Sequence, residues 1–141
     1  MLTTKKKSRE AEQKKILWQP NPGKQMEALR RTEYEILFGG RRGGGKTAAG
    51  ISWLLYDKDN PLYRALVIRK NSTDLVDWVD RANQIYKKLG AEKTGNPPSF
   101  TFPSQAVIRT GHLKDENAYT KYQGHEYQKM LIEELTQIPN E

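Results

Sequence analysis

The chain has 141 residues, no cysteine and only two histidines, His112 and His125. Disulfides, thiolate metal centres, a cysteine nucleophile and a His-rich zinc site are therefore excluded. Lysine and arginine exceed aspartate and glutamate by seven, and residues 1–15 hold six of the basic residues against two acids. The excess is thus concentrated in a basic arm. The rest is close to neutral, so composition alone does not mark a nucleic-acid binder. No apolar run approaches the roughly 20 residues of a membrane helix, and Met1 to Lys15 lacks the apolar segment of a secretory signal. The length fits one domain, and a hydrophobic content of 35% implies a thin core.

Residues 1–17 read as a basic, flexible or helical arm, followed by a domain over 18–141. Trp18 to Gly23 (WQPNPG) has loop chemistry. Lys24 to Arg31 suits a short helix. Tyr34 to Phe38 (YEILF) is β-prone and runs into glycines, which predicts a strand. Gly39 to Thr47 is a glycine-rich turn, and Thr47 to Tyr56 reads as a helix with Ile51, Leu54 and Leu55 on one face. Arg64 to Arg69 (RALVIR) has the continuous apolar centre of a buried strand.

A further helix starts at an Asn71 or Ser72 N-cap. Its apolar positions Leu75, Val79, Ala82, Tyr86 and Leu89 recur at helical steps, and Gly90 stops it. Trp53 and Trp78 fall in helices as packing residues. Gly95 to Pro98 is a turn. Phe100–Phe102 and Ala106–Thr110 form a hairpin around Pro103–Ser104, with His112 and His125 in loops. Asp115 to Tyr122 is a short helix, and Lys129 to Ile132 a last strand ending in Glu133 and Glu134. Alternating strands and helices predict an α/β domain with a largely parallel sheet.

The sharpest motif is GRRGGGKT, Gly40 to Thr47, which fits G-x-x-x-x-G-K-[ST] between a predicted strand and a predicted helix. Gly43, Gly44 and Gly45 let several backbone N–H groups face a triphosphate, and the following helix turns its positive end to the anion. Lys46 supplies a point charge for the β- and γ-phosphates, and Thr47 a hydroxyl for Mg²⁺. Arg41 and Arg42 add charge beside the γ-phosphate. The run KMLIEE, Lys129 to Glu134, is an apolar strand ending in two acids. Glu133 is assigned to Mg²⁺ and Glu134 to the attacking water.

PNPGKQMEAL, ILFGGRRGGGKTAAG, RALVIRKNSTDL and KYQGHEYQKMLIEELTQ together resemble the ATPase domain of the large terminase subunit, the DNA-packaging motor of tailed bacteriophages. The resemblance implies a P-loop three-layer sandwich with a mostly parallel sheet. It implies ATP and Mg²⁺ as cofactors, and hydrolysis coupled to movement of double-stranded viral DNA into a procapsid. It assigns adenine recognition to Gln25 and γ-phosphate sensing to Arg42 or Arg41. Gly40, Gly43, Gly44, Gly45, Lys46 and Thr47 become the phosphate loop, Thr47 and Glu133 the metal residues, and Glu134 the catalytic acid. Aspartate is usual at the metal position, so Glu133 departs from the pattern by one methylene.

The resemblance also implies an arginine donated by a neighbouring subunit, for which Arg69 and Arg109 are the candidates and Lys121 a weaker one. The implied partners are a portal protein, a small terminase subunit and further copies in a ring on the procapsid, in the cytoplasm of an infected or prophage-carrying bacterium. No membrane is involved. The acids of a two-metal nuclease are not found, so cleavage is not expected. The expected sheet is incomplete on its C-terminal side, lacking a strand between the phosphate-loop strand and the Glu133 strand. Two other readings remain: a nucleotide-binding assembly module or remnant without turnover, and a helicase-like P-loop ATPase.

Overall fold

A computed structural model describes residues 16–33, 36, 45–113 and 126–133. In chain order the elements are α1 (Lys24–Arg30), α2 (Lys46–Trp53), β1 (Arg64–Arg69), α3 (Ser72–Tyr86) with a 3₁₀ turn Lys87–Leu89, β2 (Glu92–Thr94), β3 (Ser99–Thr101), β4 (Val107–His112) and β5 (Lys129–Ile132). β1 lies at the heart of the sheet because Ala65, Leu66, Val67 and Ile68 give it two apolar faces, and all four are buried. β4 and β5 flank it in parallel, while β2 and β3 extend the sheet antiparallel beyond β4. The order is β2-β3-β4-β1-β5.

The α/β reading holds, and the sheet is mixed around a parallel core. The antiparallel part arises from the anticipated hairpin β3–β4 and from β2, which had not been anticipated. β2 reads Glu-Lys-Thr and is exposed throughout, so no apolar alternation announces it. α2 ends at Trp53, three residues before the expected Tyr56, and turns occupy Leu54 to Asp59. His112 closes β4, a correction to its placement in a loop. The predicted strand 34–38 lies outside the described residues except for Ile36, and the predicted helix 115–122 lies wholly outside them.

Alternation along β1 places Tyr63, Ala65 and Val67 on one face. Register continues that face through Ile108 in β4, Phe100 in β3 and Leu131 in β5. Ile51 of α2, Leu54 just past it, and Leu75, Trp78, Val79, Ala82 and Tyr86 of α3 join these residues in one core. The ring of Tyr86 meets Phe100 and Phe102 edge-on at centroid distances of 5.0 and 5.5 Å, an arrangement favoured by the ring quadrupole. Trp78 is fully buried and Trp53 packs partly against the core, as their helical positions implied.

One end of α2 is tied down with particular care. A helix leaves its last carbonyls without intrahelical donors. Here Tyr86 Oη donates to the Ile51 carbonyl at 2.7 Å, Tyr63 Oη to Leu54 at 2.6 Å, and Lys129 Nζ to Trp53 at 3.3 Å. The Lys129 ammonium also lies over the rings of Trp53 and Tyr56, 4.1 and 4.3 Å from their centroids. It complements the negative end of the helix dipole, although burial draws its pKa down.

Burial raises the pKa of both tyrosines, with a smaller push on Tyr63 from the Asp57 carboxylate and on Tyr86 from Tyr63. A pKa raised on folding gives stability that is complete below the unfolded value of about 10 and lost as pH climbs toward the folded value. Stability is therefore expected to fall steadily above about pH 10, as read from urea midpoints across alkaline pH. Tyr86→Phe is expected to cost about 1–3 kcal/mol at neutral pH by orphaning the Ile51 carbonyl, and to flatten the alkaline decline. A neutral-pH midpoint equal to wild type would remove the hydroxyl from this role.

Candidate phosphate and metal site

Gly45 opens α2 with φ 75°, a left-handed conformation in which a Cβ is strained. Its carbonyl accepts the Ala49 amide at 3.0 Å and Gln25 Nε2 at 2.7 Å. Gln25 is only 6% exposed, and its Oε1 accepts the Asn21 amide at 2.7 Å. A Cβ on residue 45 would stand 1.9 Å from Gln25 Nε2, so close approach demands glycine here as well. The glutamine assigned to adenine thus braces the exit of the glycine turn. One N–H and one lone pair of its amide stay beyond these two bonds.

Lys46 and Thr47 are half-buried at the first turn of α2. Gly50 follows Thr47 by three positions and Lys46 by four, so all three share one helix face. At Gly50 the strand carrying the acids comes close. A Cβ there would lie 2.7 Å from Leu131 Cδ2 and 3.5 Å from Glu133 Oε1. Lys129, Leu131 and Glu133 alternate onto the α2 side of the sheet, and the Glu133 amide continues the pairing with β1 by donating to Ile68 at 3.1 Å. The carboxylate therefore faces the helix that begins Lys46-Thr47, about one turn from them.

Arg69 ends β1 on the same face. Its Nε is 3.5 Å from Glu133 Oε2, with the two side chains 11% and 10% exposed, and its Nη1 donates to the Asp74 carbonyl at 3.0 Å. Arg69 is thus engaged inside its own fold, which corrects its candidacy as an arginine reaching a neighbouring subunit. Arg109 is exposed on β4. His112 pairs with Arg69 in register, and its buried Nδ1 has no hydrogen-bond partner among the described residues. Gly40, Arg41, Arg42, Gly43, Gly44, Lys121, His125 and Glu134 lie outside the described residues.

Among the described residues no group of three or more His, Asp or Glu side chains forms a metal cage. One carboxylate and one hydroxyl along a single helix face suit Mg²⁺ that arrives with phosphates, since Mg²⁺ takes few protein oxygens and completes its shell with phosphate and water. Thr47 and Glu133 fit that pattern. The ion pair between Arg69 and Glu133 is not foreseen from the sequence. Its one sequence signal is an arginine at the carboxyl end of an apolar strand, where ligands gather in α/β sheets. Comparison with family models, characterised proteins and solved structures finds no match to this chain.

Gly50→Val is expected to push Leu131 and Glu133 away from α2 and to lower stability by about 1–3 kcal/mol, the usual cost of overpacking. Chemical denaturation measures this. An unchanged midpoint would mean that the close approach at Gly50 is dispensable.

Proposed function

We propose that the chain binds and hydrolyses ATP as part of a terminase-type DNA-packaging motor, coupling turnover to movement of double-stranded viral DNA into a procapsid. The observation that carries this reading is the carboxylate of Glu133 lying against α2 at Gly50, on the helix face that Lys46 and Thr47 share. A glycine turn, a lysine-threonine pair and an acid on one side of a sheet are what triphosphate chemistry requires.

In this reading the backbone of residues 40–45 cradles the phosphates and Lys46 neutralises the β- and γ-oxygens. Thr47 and Glu133 hold Mg²⁺, which supplies charge neutralisation on the phosphates when bound. Glu134 orients water and accepts its proton as the oxygen bonds to the γ-phosphorus and the bond to the β-bridging oxygen breaks. Arg42 senses the γ-phosphate, with Arg41 beside it. Gln25 meets adenine with the amide capacity left beyond Asn21 and Gly45. Arg109, exposed on β4, becomes the leading candidate for the arginine given to a neighbouring copy. Such motors act as rings with a portal protein and a small subunit, inside the host bacterium.

Equilibrium titration with ATP tests the reading. Wild type is expected to bind ATP weakly with Mg²⁺, and Lys46→Ala to bind roughly ten- to a hundredfold more weakly through loss of a charged contact. Hydrolysis by the chain alone is expected to lie near background, and Glu134→Gln to keep binding and remove whatever turnover there is. Equal affinity in wild type and Lys46→Ala refutes the phosphate site, and binding without any wild-type turnover favours a non-hydrolysing module.

A further inference from the structure

The buried end of β1 holds a guanidinium whose neighbours are fixed by the fold. Arg69 is 9% exposed, and a buried cation is retained only where acceptors meet it. The Asp74 carbonyl in the first turn of α3 takes Nη1 at 3.0 Å. Asn71 Nδ2 reaches Asp74 Oδ2 at 3.3 Å and steadies that turn. Glu133 lies across the β1–β5 pair, and its two oxygens face different ways: Oε2 is 3.5 Å from Arg69 Nε, and Oε1 lies beside Gly50 of α2.

We propose that Arg69 is the positioning residue for the metal-facing carboxylate. It engages Oε2 of Glu133 and thereby presents Oε1 to the helix face that carries Thr47. Glutamate has one more methylene and one more torsion than aspartate, so an unguided Glu133 would spread over several rotamers, with an entropic cost on binding a cation. Arg69 removes that freedom in advance. The guanidinium is itself held by the Asp74 carbonyl, so the carboxylate is referenced to β1 and α3 as well as to its own strand. The inference rests on the ATP–Mg²⁺ reading and adds to it a residue that acts through Glu133.

The test is a Mg²⁺ titration of ATP binding, followed by calorimetry, with binding in EDTA as the metal-free reference. Arg69→Gln is expected to raise the Mg²⁺ concentration at half-effect by roughly tenfold, the usual cost of removing a group that orients a metal ligand, and to leave binding in EDTA unchanged. Arg69→Lys keeps the charge but cannot span both acceptors, so a smaller shift in the same direction is expected. In a Glu133→Gln background, Arg69→Gln should add nothing. If Arg69→Gln does not fold, the Arg69→Lys shift decides alone. An unaltered Mg²⁺ midpoint in the folded Arg69 variants overturns the proposal, as does equal weakening with and without Mg²⁺, the mark of a merely structural role. Wild type that binds no ATP under either condition refutes the nucleotide reading itself, a distinct outcome.

Discussion

The fold turns on how firmly α2 is held, because this eight-residue helix carries Lys46 and Thr47 and is too short to be stable by itself. Its C-terminal carbonyls are met by Tyr63, Tyr86 and Lys129, and its opening glycine is braced by Gln25. These four donors come from the approach to β1, from α3, from β5 and from α1. The helix therefore has neither end free to shift along its axis. Whatever binds at its first turn meets a pre-set array of backbone donors, and preorganisation of this kind reduces the entropy lost on binding.

The electrostatics at the carboxyl end of the sheet follow from the same placement. Arg69 at the end of β1 and Glu133 just past β5 meet on the face that α2 covers. The Glu133 carboxylate thus lies between the Arg69 guanidinium and α2, the helix that opens with Lys46. Bringing a cation there alone would be unfavourable. A cation that arrives already bound to phosphates reverses the balance, because the complex is itself negative. Under the proposed ATP reading, Thr47 and Glu133 would meet such a complex rather than a permanently resident metal.

The strands and helices that announce themselves by pattern were legible in advance. β1 ran over Arg64–Arg69 as its apolar centre implied, α3 followed its helical spacing, and Gly90 ended its 3₁₀ extension in the left-handed conformation, φ 86°. β2 was not legible because exposed Glu92, Lys93 and Thr94 pair through backbone alone. The shortening of α2 was hidden because Leu54 is fully buried whether it lies in the helix or just past it. Of the candidate site, the sequence motif offered residue types alone, and the strand that leads into Glu133 formed over Lys129–Ile132 as its apolar run implied. The partners could not be read. The bond from Gln25 to Gly45 spans 20 residues and that from Lys129 to Trp53 spans 76. No short-range pattern encodes such pairs. The Arg69–Glu133 pair likewise depends on β5 lying beside β1, 64 residues away in sequence.

The reach of the Lys129 contact bears on how the protein matures. The segment through Tyr86 already contains both tyrosine hydroxyls that meet the end of α2. Lys129 and Glu133 follow more than forty residues later, and only then does the helix acquire its last anchor and its facing acid. Contacts this distant in the chain form late because the loop they close must first lose its freedom. The nascent chain thus gains the first turn of α2 before the acid that lies against that helix. Nascent and finished chains accordingly differ in whether that turn has its carboxylate beside it.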